Sequence, residues 1–226
     1  ASDVYKRQDD RCALTHMVRV NDAEVDILAE SGASVAHCPT TALKVAYGVT
    51  QVGKFPEMVQ KGVNVSLGTD GNNASNYSDL MRASYLAAGI FKDAREDPQM
   101  FPAEKAFEMA TIDGAKTLLM DQEIGSLEIG KKADLVLHDT DRPEWRPLLN
   151  VMNQLVWSAD GRGVHTVLVD GQTVVEDGRC LTVDEEKLWS DVQQMGEAIT
   201  GRSGLPDKAK FPTCLLYTSP SPRDGS

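Results

Sequence analysis

The chain has 226 residues and a net charge of −11, and hydrophobic residues make up 41% of it. This acidity argues against nucleic acid or an anionic membrane as a partner, since both require a basic surface. No apolar run is long enough to cross a bilayer, no signal-peptide pattern opens the chain, and the four cysteines form no C-x-x-C pair. We therefore expect a cytoplasmic protein that binds neither nucleic acid nor membrane.

The two ends of the chain are predicted to be translated adapter DNA. Residues 3–8 back-translate to a DNA element whose reverse complement, read in another frame, encodes residues 214–218. Such paired ends resemble the adapters of transposase-based sequencing libraries, and a genuine inverted repeat in the gene is the alternative. We expect residues 1–8 and 214–226 to be artefacts that take no part in the fold, and residues 9–213 to be a fragment of a longer protein.

The first third of the remaining chain alternates apolar runs with helical patterns. Three short apolar runs indicate strands, at residues 12–20, 33–38 and 63–71, and the second is predicted to be buried. Between them, the spacing predicts a helix that begins after Asn21 or Asp22 and ends at Gly32, a loop that carries Gly48 and Gly53, and a short helix over residues 55–60. Repeated βα units predict a parallel sheet, either an open doubly wound sheet or a closed barrel.

The rest of the chain shows further helices and then β structure. The predicted helices cover residues 77–93, 102–109 and 112–119. Residues 124–137 alternate and turn as strands do, and Asp170-Gly171 between alternating apolar residues predicts a hairpin with a type I′ turn. A final polar helix is expected over residues 184–199.

Three ionisable side chains lie near the ends of the predicted strands, namely His16, His37 and Asp70. In parallel α/β folds, ligands sit at the carboxyl ends of the strands. A carboxylate flanked by glycines can bind a divalent metal and accept a proton from its bound water, and a neutral histidine suits metal binding or proton transfer. Each residue alone also fits a structural role, as a turn residue or a core histidine, but their convergence at one edge favours a site.

Three motifs resemble the last three barrel strands of the amidohydrolase superfamily, in the branch that deaminates or dechlorinates purines, pterins, triazines and related rings. The motifs are Thr15-His16, Val35-Ala36-His37-Cys38-Pro39-Thr40 and Leu67-Gly68-Thr69-Asp70-Gly71. Residues 124–136 resemble that family's return from the barrel to a small β-sandwich, and residues 167–171 resemble a hairpin of the sandwich.

The resemblance implies an α/β fold with the following division. Residues 9–121 would form the C-terminal part of a (β/α)8 TIM barrel, about strands 6–8, and residues 122–182 part of the β-sandwich. Residues 183–213 would form a C-terminal helix and tail.

The resemblance also implies a hydrolase acting on non-peptide C–N or C–Cl bonds of a small nitrogen heterocycle. One divalent metal, zinc or else iron, would lower the pKa of the attacking water. His16 resembles the sixth-strand histidine that contacts the substrate and the attacking water, and Asp70 resembles the eighth-strand aspartate, a metal ligand that also moves the proton. His37 either lines the pocket or packs beside it, and Asn73 and Asn76 either contact the substrate or form a solvated turn.

The family's other metal-binding residues have no counterpart in this chain. A first-strand His-x-His motif, a fifth-strand histidine and its adjacent glutamate are all missing. Zinc sites use three or more protein ligands, so we predict that the chain alone does not retain the metal and is inactive, whereas the intact parent is an enzyme and a homo-oligomer. The alternatives are a non-catalytic binding module on a decayed amidohydrolase fold, and an open α/β nucleotide-binding domain, although no Gly-rich phosphate loop follows the first strand.

Overall fold

The computed structural model describes residues 9–204. The predicted artefact segments, residues 1–8 and 214–226, lie outside the described residues, as does the predicted tail after residue 204. Contacts divide the chain into two units, residues 1–181 and residues 182–226. Among the described residues, no helix is both long enough and apolar enough to cross a membrane.

The first unit contains a three-stranded parallel sheet with the strand order β1-β2-β3. Its strands are β1 (Ala13–Thr15), β2 (Ser34–His37) and β3 (Val65–Leu67). The register pairs Thr15 with Ala36 and His37 with Leu67, so the carboxyl ends of the strands lie at one edge of the sheet. Helical segments connect the strands, as parallel pairing requires. The predicted alternation of strands and helices is therefore confirmed for this segment.

The helices of the first unit lie in the sequence between the strands of the parallel sheet and after the last of them. They are α1 (Asp22–Ser31), α2 (Pro39–Lys44), α3 (Val49–Val52), α4 (Phe55–Gln60), α5 (Asn72–Ser75), α6 (Leu80–Ala94), α7 (Ala103–Ala110), α8 (Ile112–Thr117) and α9 (Val151–Asn153), the last continued by a π-helical turn over Gln154–Ser158. The prediction of a continuous loop carrying Gly48 and Gly53 is wrong, because α2 forms before Gly48 and α3 forms between the two glycines. Pro39 begins α2, a position where its fixed φ suits a helix and its missing N–H leaves no bond unmade.

Helix α1 has the boundaries that its sequence predicts. Asn21 accepts a hydrogen bond from the Glu24 N–H at 3.0 Å, and the Glu24 carboxylate accepts one from the Asn21 N–H at 2.8 Å, which forms a capping box. The helix ends at Gly32, whose φ of 73° lies in the left-handed region that glycine adopts without strain.

Replacing the capping residue tests this interpretation. We expect Asn21→Ala to lower the free energy of unfolding by about 1 kcal/mol, because the Glu24 N–H loses its acceptor. Asn21→Asp retains an acceptor and is expected to keep the wild-type stability within a few tenths of a kcal/mol. Urea denaturation of the three proteins measures the difference, and equal midpoints for Asn21→Ala and wild type would contradict it.

The main core lies between the parallel sheet and its helices. Val35 of β2 and Val65 of β3 are fully buried, and they pack in one cluster with Phe55 of α4 and Phe91 of α6. All three residues of β3 are buried, as expected for a strand covered on both faces. Burial of these apolar side chains is the main source of stability for this part of the fold.

A second sheet follows, with four antiparallel strands in the order β4-β5-β6-β7. Its strands are β4 (Leu135–His138), β5 (Val164–Val169), β6 (Gln172–Glu176) and β7 (Arg179–Cys180). Asp170 and Gly171 both have positive φ, 50° and 77°, between the paired residues Val169 and Gln172. Positive φ at both central residues defines the type I′ turn, so the predicted hairpin is confirmed.

The second unit contains helix α10 (Glu185–Ser203). Asp184 caps it by accepting a hydrogen bond from the Lys187 N–H at 3.0 Å. The predicted helix over residues 184–199 is confirmed, and it continues for one further turn to Gly204, which has a left-handed φ of 61°.

Candidate active site

The loops after β1 and β3 bring His16 and Asp70 together. His16 Nε2 lies 3.6 Å from Asp70 Oδ2, and the two side chains are 32% and 25% exposed. The His16 N–H donates a hydrogen bond to the Ala36 carbonyl at 3.0 Å, which ties the first loop to β2. Two of the three ionisable residues that the sequence places at strand ends therefore meet at an open edge of the sheet, accessible to a small molecule.

Both side chains project from an unusual backbone. His16, Met17 and Asp70 have φ values of 72°, 46° and 62°, in the left-handed region that non-glycine residues rarely occupy. Such conformations cost about 1–3 kcal/mol each and persist where the surrounding structure imposes them, commonly at functional sites. The turn at His16 and Met17 also ends β1 at Thr15, well before the end of the predicted apolar run.

The surroundings of Asp70 keep its carboxylate ionised. Asp70 Oδ1 accepts a hydrogen bond from the Gly71 N–H at 2.6 Å. That bond holds the pKa of Asp70 below its usual range, and the Thr41 hydroxyl and the nearby His16 ring act in the same direction. At neutral pH the Oδ2 atom that faces His16 is therefore an anionic acceptor for a cation or a proton.

The backbone at Gly71 passes close to the side chain of Asn73. A Cβ atom at this position would lie 2.6 Å from Asn73 Oδ1, the end of an exposed side chain that could turn away. Asn73 thus lies directly over the backbone that follows Asp70. Asn76 is held by Lys44, whose ammonium group donates a hydrogen bond to the Asn76 side-chain oxygen. Both asparagines are exposed beside the site.

The described residues do not complete a metal site. Within residues 9–204, no group of three or more His, Cys, Asp or Glu side chains is placed to hold a metal ion. The carboxylate of Asp70 and the imidazole of His16 are suitable donors, but zinc sites use at least three protein ligands. This segment therefore supplies part of a donor set.

Two further residues, which the sequence did not single out, lie at the site. The Tyr47 ring contacts the His16 ring edge to face, with centroids 5.7 Å apart and an interplanar angle of 81°. Thr41 is 2% exposed, and its hydroxyl helps to lower the pKa of Asp70. Thr41 belongs to α2 and Tyr47 follows it shortly, so the missed helix explains why both residues were missed.

His37 points into the core instead of towards His16 and Asp70. Its ring is 0% exposed and stacks on Phe55 with centroids 3.9 Å apart. In the described part of the chain, neither ring nitrogen has a hydrogen-bond partner. Burial lowers the pKa of His37 to about 3, because an apolar environment disfavours the charged imidazolium. Of the two roles that the sequence allows, this geometry fits packing beside the pocket.

The buried His37 makes stability depend on pH. Its pKa is about 3 in the folded chain, against an ordinary value near 6.5. Between these two pH values the unfolded chain therefore binds up to one more proton than the folded chain. The free energy of unfolding should fall by up to about 1.4 kcal/mol per pH unit between about pH 6 and pH 4.

Urea denaturation across this pH range measures the effect. We expect His37→Leu to remove the part of the pH dependence that comes from protonation of His37. Met58→Leu, at another fully buried position, should keep the wild-type pH dependence. An unchanged pH dependence in His37→Leu would contradict the assignment.

Cys38, next to His37, is unsuited to nucleophilic chemistry. It is 3% exposed, and burial, together with the negative charge of Asp70, raises the pKa of its thiol to about 11. A thiol with such a pKa carries almost no reactive thiolate at neutral pH. Cys38 acts as a small core residue.

Comparison with known proteins identifies the family. The model of the amidohydrolase family matches residues 2–174, which is most of the chain. The chain belongs to the amidohydrolase family. The resemblance of the three strand-end motifs to that family is thereby confirmed.

Several relatives of this amidohydrolase chain carry the names of deaminases. A 5-methylthioadenosine/S-adenosylhomocysteine deaminase of Moorella thermoacetica is 42% identical over 177 residues, which are 78% of this chain and 41% of that protein. A 5'-deoxyadenosine deaminase of Methanosarcina mazei is 37% identical, over 83% of this chain and 42% of that protein. This amidohydrolase chain thus spans about two fifths of the length of the curated relatives it matches.

A solved structure agrees with these relatives. The zinc-bound adenosine deaminase of Xanthomonas campestris superposes with a TM-score of 0.82 and 31% identity, over 88% of this chain and 45% of that chain. The likeness shows that this chain has the mixed α/β architecture of the amidohydrolase TIM barrels.

Proposed function

We propose that the chain is part of a longer metal-dependent aminohydrolase that removes the amino group from the purine ring of an adenosine-type nucleoside. The observation that carries the proposal is the approach of His16 Nε2 to Asp70 Oδ2, 3.6 Å apart at the ends of two parallel strands. A histidine and an ionised carboxylate at such an edge are suited to general acid–base chemistry. Family membership and the deaminase names of the relatives support this reaction class.

The proposal includes a place for this segment in the longer protein. β1, β2 and β3 would be strands 6, 7 and 8 of a (β/α)8 barrel within residues 9–121. Residues 122–182 would be part of a small β-sandwich, and residues 183–213 a C-terminal helix and tail. The three parallel strands and the coverage of only 41% of the Moorella thermoacetica deaminase support this division.

Asp70 would be one ligand of a divalent metal in the parent, with the other ligands supplied by the rest of that protein. Zinc is the expected ion, because the matching adenosine deaminase structure contains it. When bound, such a metal lowers the pKa of a coordinated water molecule.

This chain's own residues would bind the substrate and move a proton. The Gly71 N–H fixes Asp70 Oδ1, which leaves Oδ2 to accept the proton of the attacking water. His16 would hold the reacting ring in place, since its Nε2 faces the same space. A distance of 3.6 Å is too long for a direct hydrogen bond and leaves room for a group that contacts both atoms. Tyr47 would fix the His16 ring by its edge-to-face contact.

The leaving group is proposed to be ammonia. C–Cl hydrolysis is the other reaction that the sequence motifs imply, but both curated relatives described above are named deaminases of adenosine derivatives. Asn73 of α5 and Asn76, which ends this helix, are both exposed and would contact the parts of the substrate outside the reacting ring.

The test is to recover the longer reading frame from the source DNA and assay its product. We expect the purified protein to contain about one zinc per chain and to release ammonia from 5'-methylthioadenosine or 5'-deoxyadenosine, whereas the 226-residue chain does neither. An intact longer protein that binds no metal and deaminates neither nucleoside would overturn the proposal. It would instead support a non-catalytic binding module on the same fold.

A further inference from the structure

A second cleft lies in the first unit, and neither His16 nor Asp70 lines it. It has a volume of about 800 Å³ and lies between residues 77–85, which include the first turns of α6, and residues 157–162, which precede β5. Sites for small molecules commonly have volumes of roughly 300–1,000 Å³. The cleft therefore has room for a ligand of one or two fused rings.

Aromatic side chains form much of the wall. Tyr85 and Trp157 meet edge to face with ring centroids 5.4 Å apart, and they are 48% and 37% exposed. The guanidinium of Arg82 lies over the ring of Tyr77, 4.1 Å from its centroid. Exposed ring faces held in fixed positions favour a planar partner, which stacks on them with little loss of conformational entropy.

The charges in the cleft leave one cation available. Asp79 Oδ1 accepts the N–H groups of Met81 and Arg82 at 2.8 and 3.2 Å, which orients this carboxylate as the cap of α6 while its negative charge stays in the cleft. Arg162 binds both oxygens of Asp160 and holds the pKa of that carboxyl below its usual range. Among residues 9–204, the Arg82 side chain has no carboxylate partner. In a chain of net charge −11, this cleft thus presents an uncommitted guanidinium.

We propose that the cleft binds a planar aromatic carboxylate, with its ring against Tyr85 and Trp157 and its carboxylate on Arg82. The guanidinium fork matches a carboxylate with two parallel hydrogen bonds, and its position over Tyr77 orients it beforehand. A neutral ring leaves Arg82 without a partner, and an anion without a ring leaves the aromatic walls unused. Only the combination uses both features of the cleft.

Calorimetric titration of the full 226-residue chain with three matched probes tests the proposal. The probes are 2-naphthoate, its neutral amide 2-naphthamide, and cyclohexanecarboxylate, which keeps the charge without the aromatic ring. We expect 2-naphthoate to bind at one saturable site, at least about tenfold more tightly than either other probe, because only it makes both the charge-assisted hydrogen bonds and the ring contacts.

Variants of Arg82 then locate the site. We expect Arg82→Gln to weaken 2-naphthoate binding at least about tenfold and to leave 2-naphthamide binding unchanged. Arg146→Gln is the matched control, because it removes an arginine that pairs with Asp141 on the surface outside the cleft, and it should keep the wild-type affinity. Near-UV circular dichroism of the buried Trp145 verifies that each variant is folded.

Three results would overturn the proposal. One is the absence of saturable binding by 2-naphthoate, and another is equal affinity for the acid and its amide. The third is self-association of the chain, detected by sedimentation, that Arg82→Gln abolishes and that none of the three probes inhibits. That last result would assign the cleft to a contact between two copies.

Discussion

In the longer enzyme that we propose, Asp70→Asn should lower the rate of nucleoside deamination at least about a thousandfold, since a general base alone contributes roughly 10²–10⁴. The change leaves the size of the side chain nearly constant and removes the charge. An amide cannot take a proton from water, and it is a much weaker metal ligand than a carboxylate. The Gly71 N–H, which donates to Asp70 Oδ1, retains an acceptor in the asparagine oxygen, so the loop should keep its conformation.

Ammonia release and zinc content, measured on the same preparations, separate the two roles of Asp70. The matched control is Asp141→Asn, which removes an aspartate charge from a side chain that is 96% exposed and pairs with Arg146. It should retain wild-type rate and zinc. If Asp70→Asn keeps its rate within tenfold of wild type, Asp70 is not the proton acceptor and the assignment of the site is wrong.

The second large effect is expected from the core. Phe91→Ala should lower the free energy of unfolding by about 3–5 kcal/mol, the usual cost of emptying a fully buried phenylalanine site. Phe91 is 0% exposed, and its ring contacts the rings of Phe55, Phe101 and His37 with centroids 5.8, 5.6 and 5.9 Å away. The cavity is enclosed by three rigid rings, so the surroundings can relax into it only partly.

A control on the same helix distinguishes lost packing from lost helix propensity. Tyr85→Ala removes an aromatic ring from α6 at a position that is 48% exposed, and it should cost less than about 1 kcal/mol. Urea denaturation at neutral pH measures both variants. Similar costs for the two substitutions would show that the ring cluster around Phe91 is not the centre of the core.

The parts of this fold that follow from local chemistry could be predicted from the sequence. The capping residues of α1 and the Asp-Gly turn after β5 each fix the backbone within a few residues, and both are where the sequence places them. β1 is shorter than predicted for a reason that apolar periodicity does not reveal. Its run of apolar residues is interrupted by left-handed residues at His16 and Met17, which are unfavourable locally and depend on tertiary contacts.

The candidate site could be predicted only in part. Parallel strands place His16 and Asp70 at one edge, and the structure brings them within 3.6 Å. The direction of His37 depends on which residues of β2 face the helices, and this is decided by Phe55 and Phe91, which are distant in sequence. The roles of Thr41 and Tyr47 depend on α2, whose six residues are too few to give a clear periodic pattern.

The alternation of surroundings along β2 restricts how this chain can change in length. Val35 and His37 are 0% exposed on the side of the helices, whereas Ala36, between them, faces the opposite side of the sheet. Insertion of a single residue into this strand would reverse every side chain after it, turning His37 out of its aromatic contacts. Insertions and deletions during evolution should therefore be confined to segments outside β2, where a changed length does not reverse the side chains of the core.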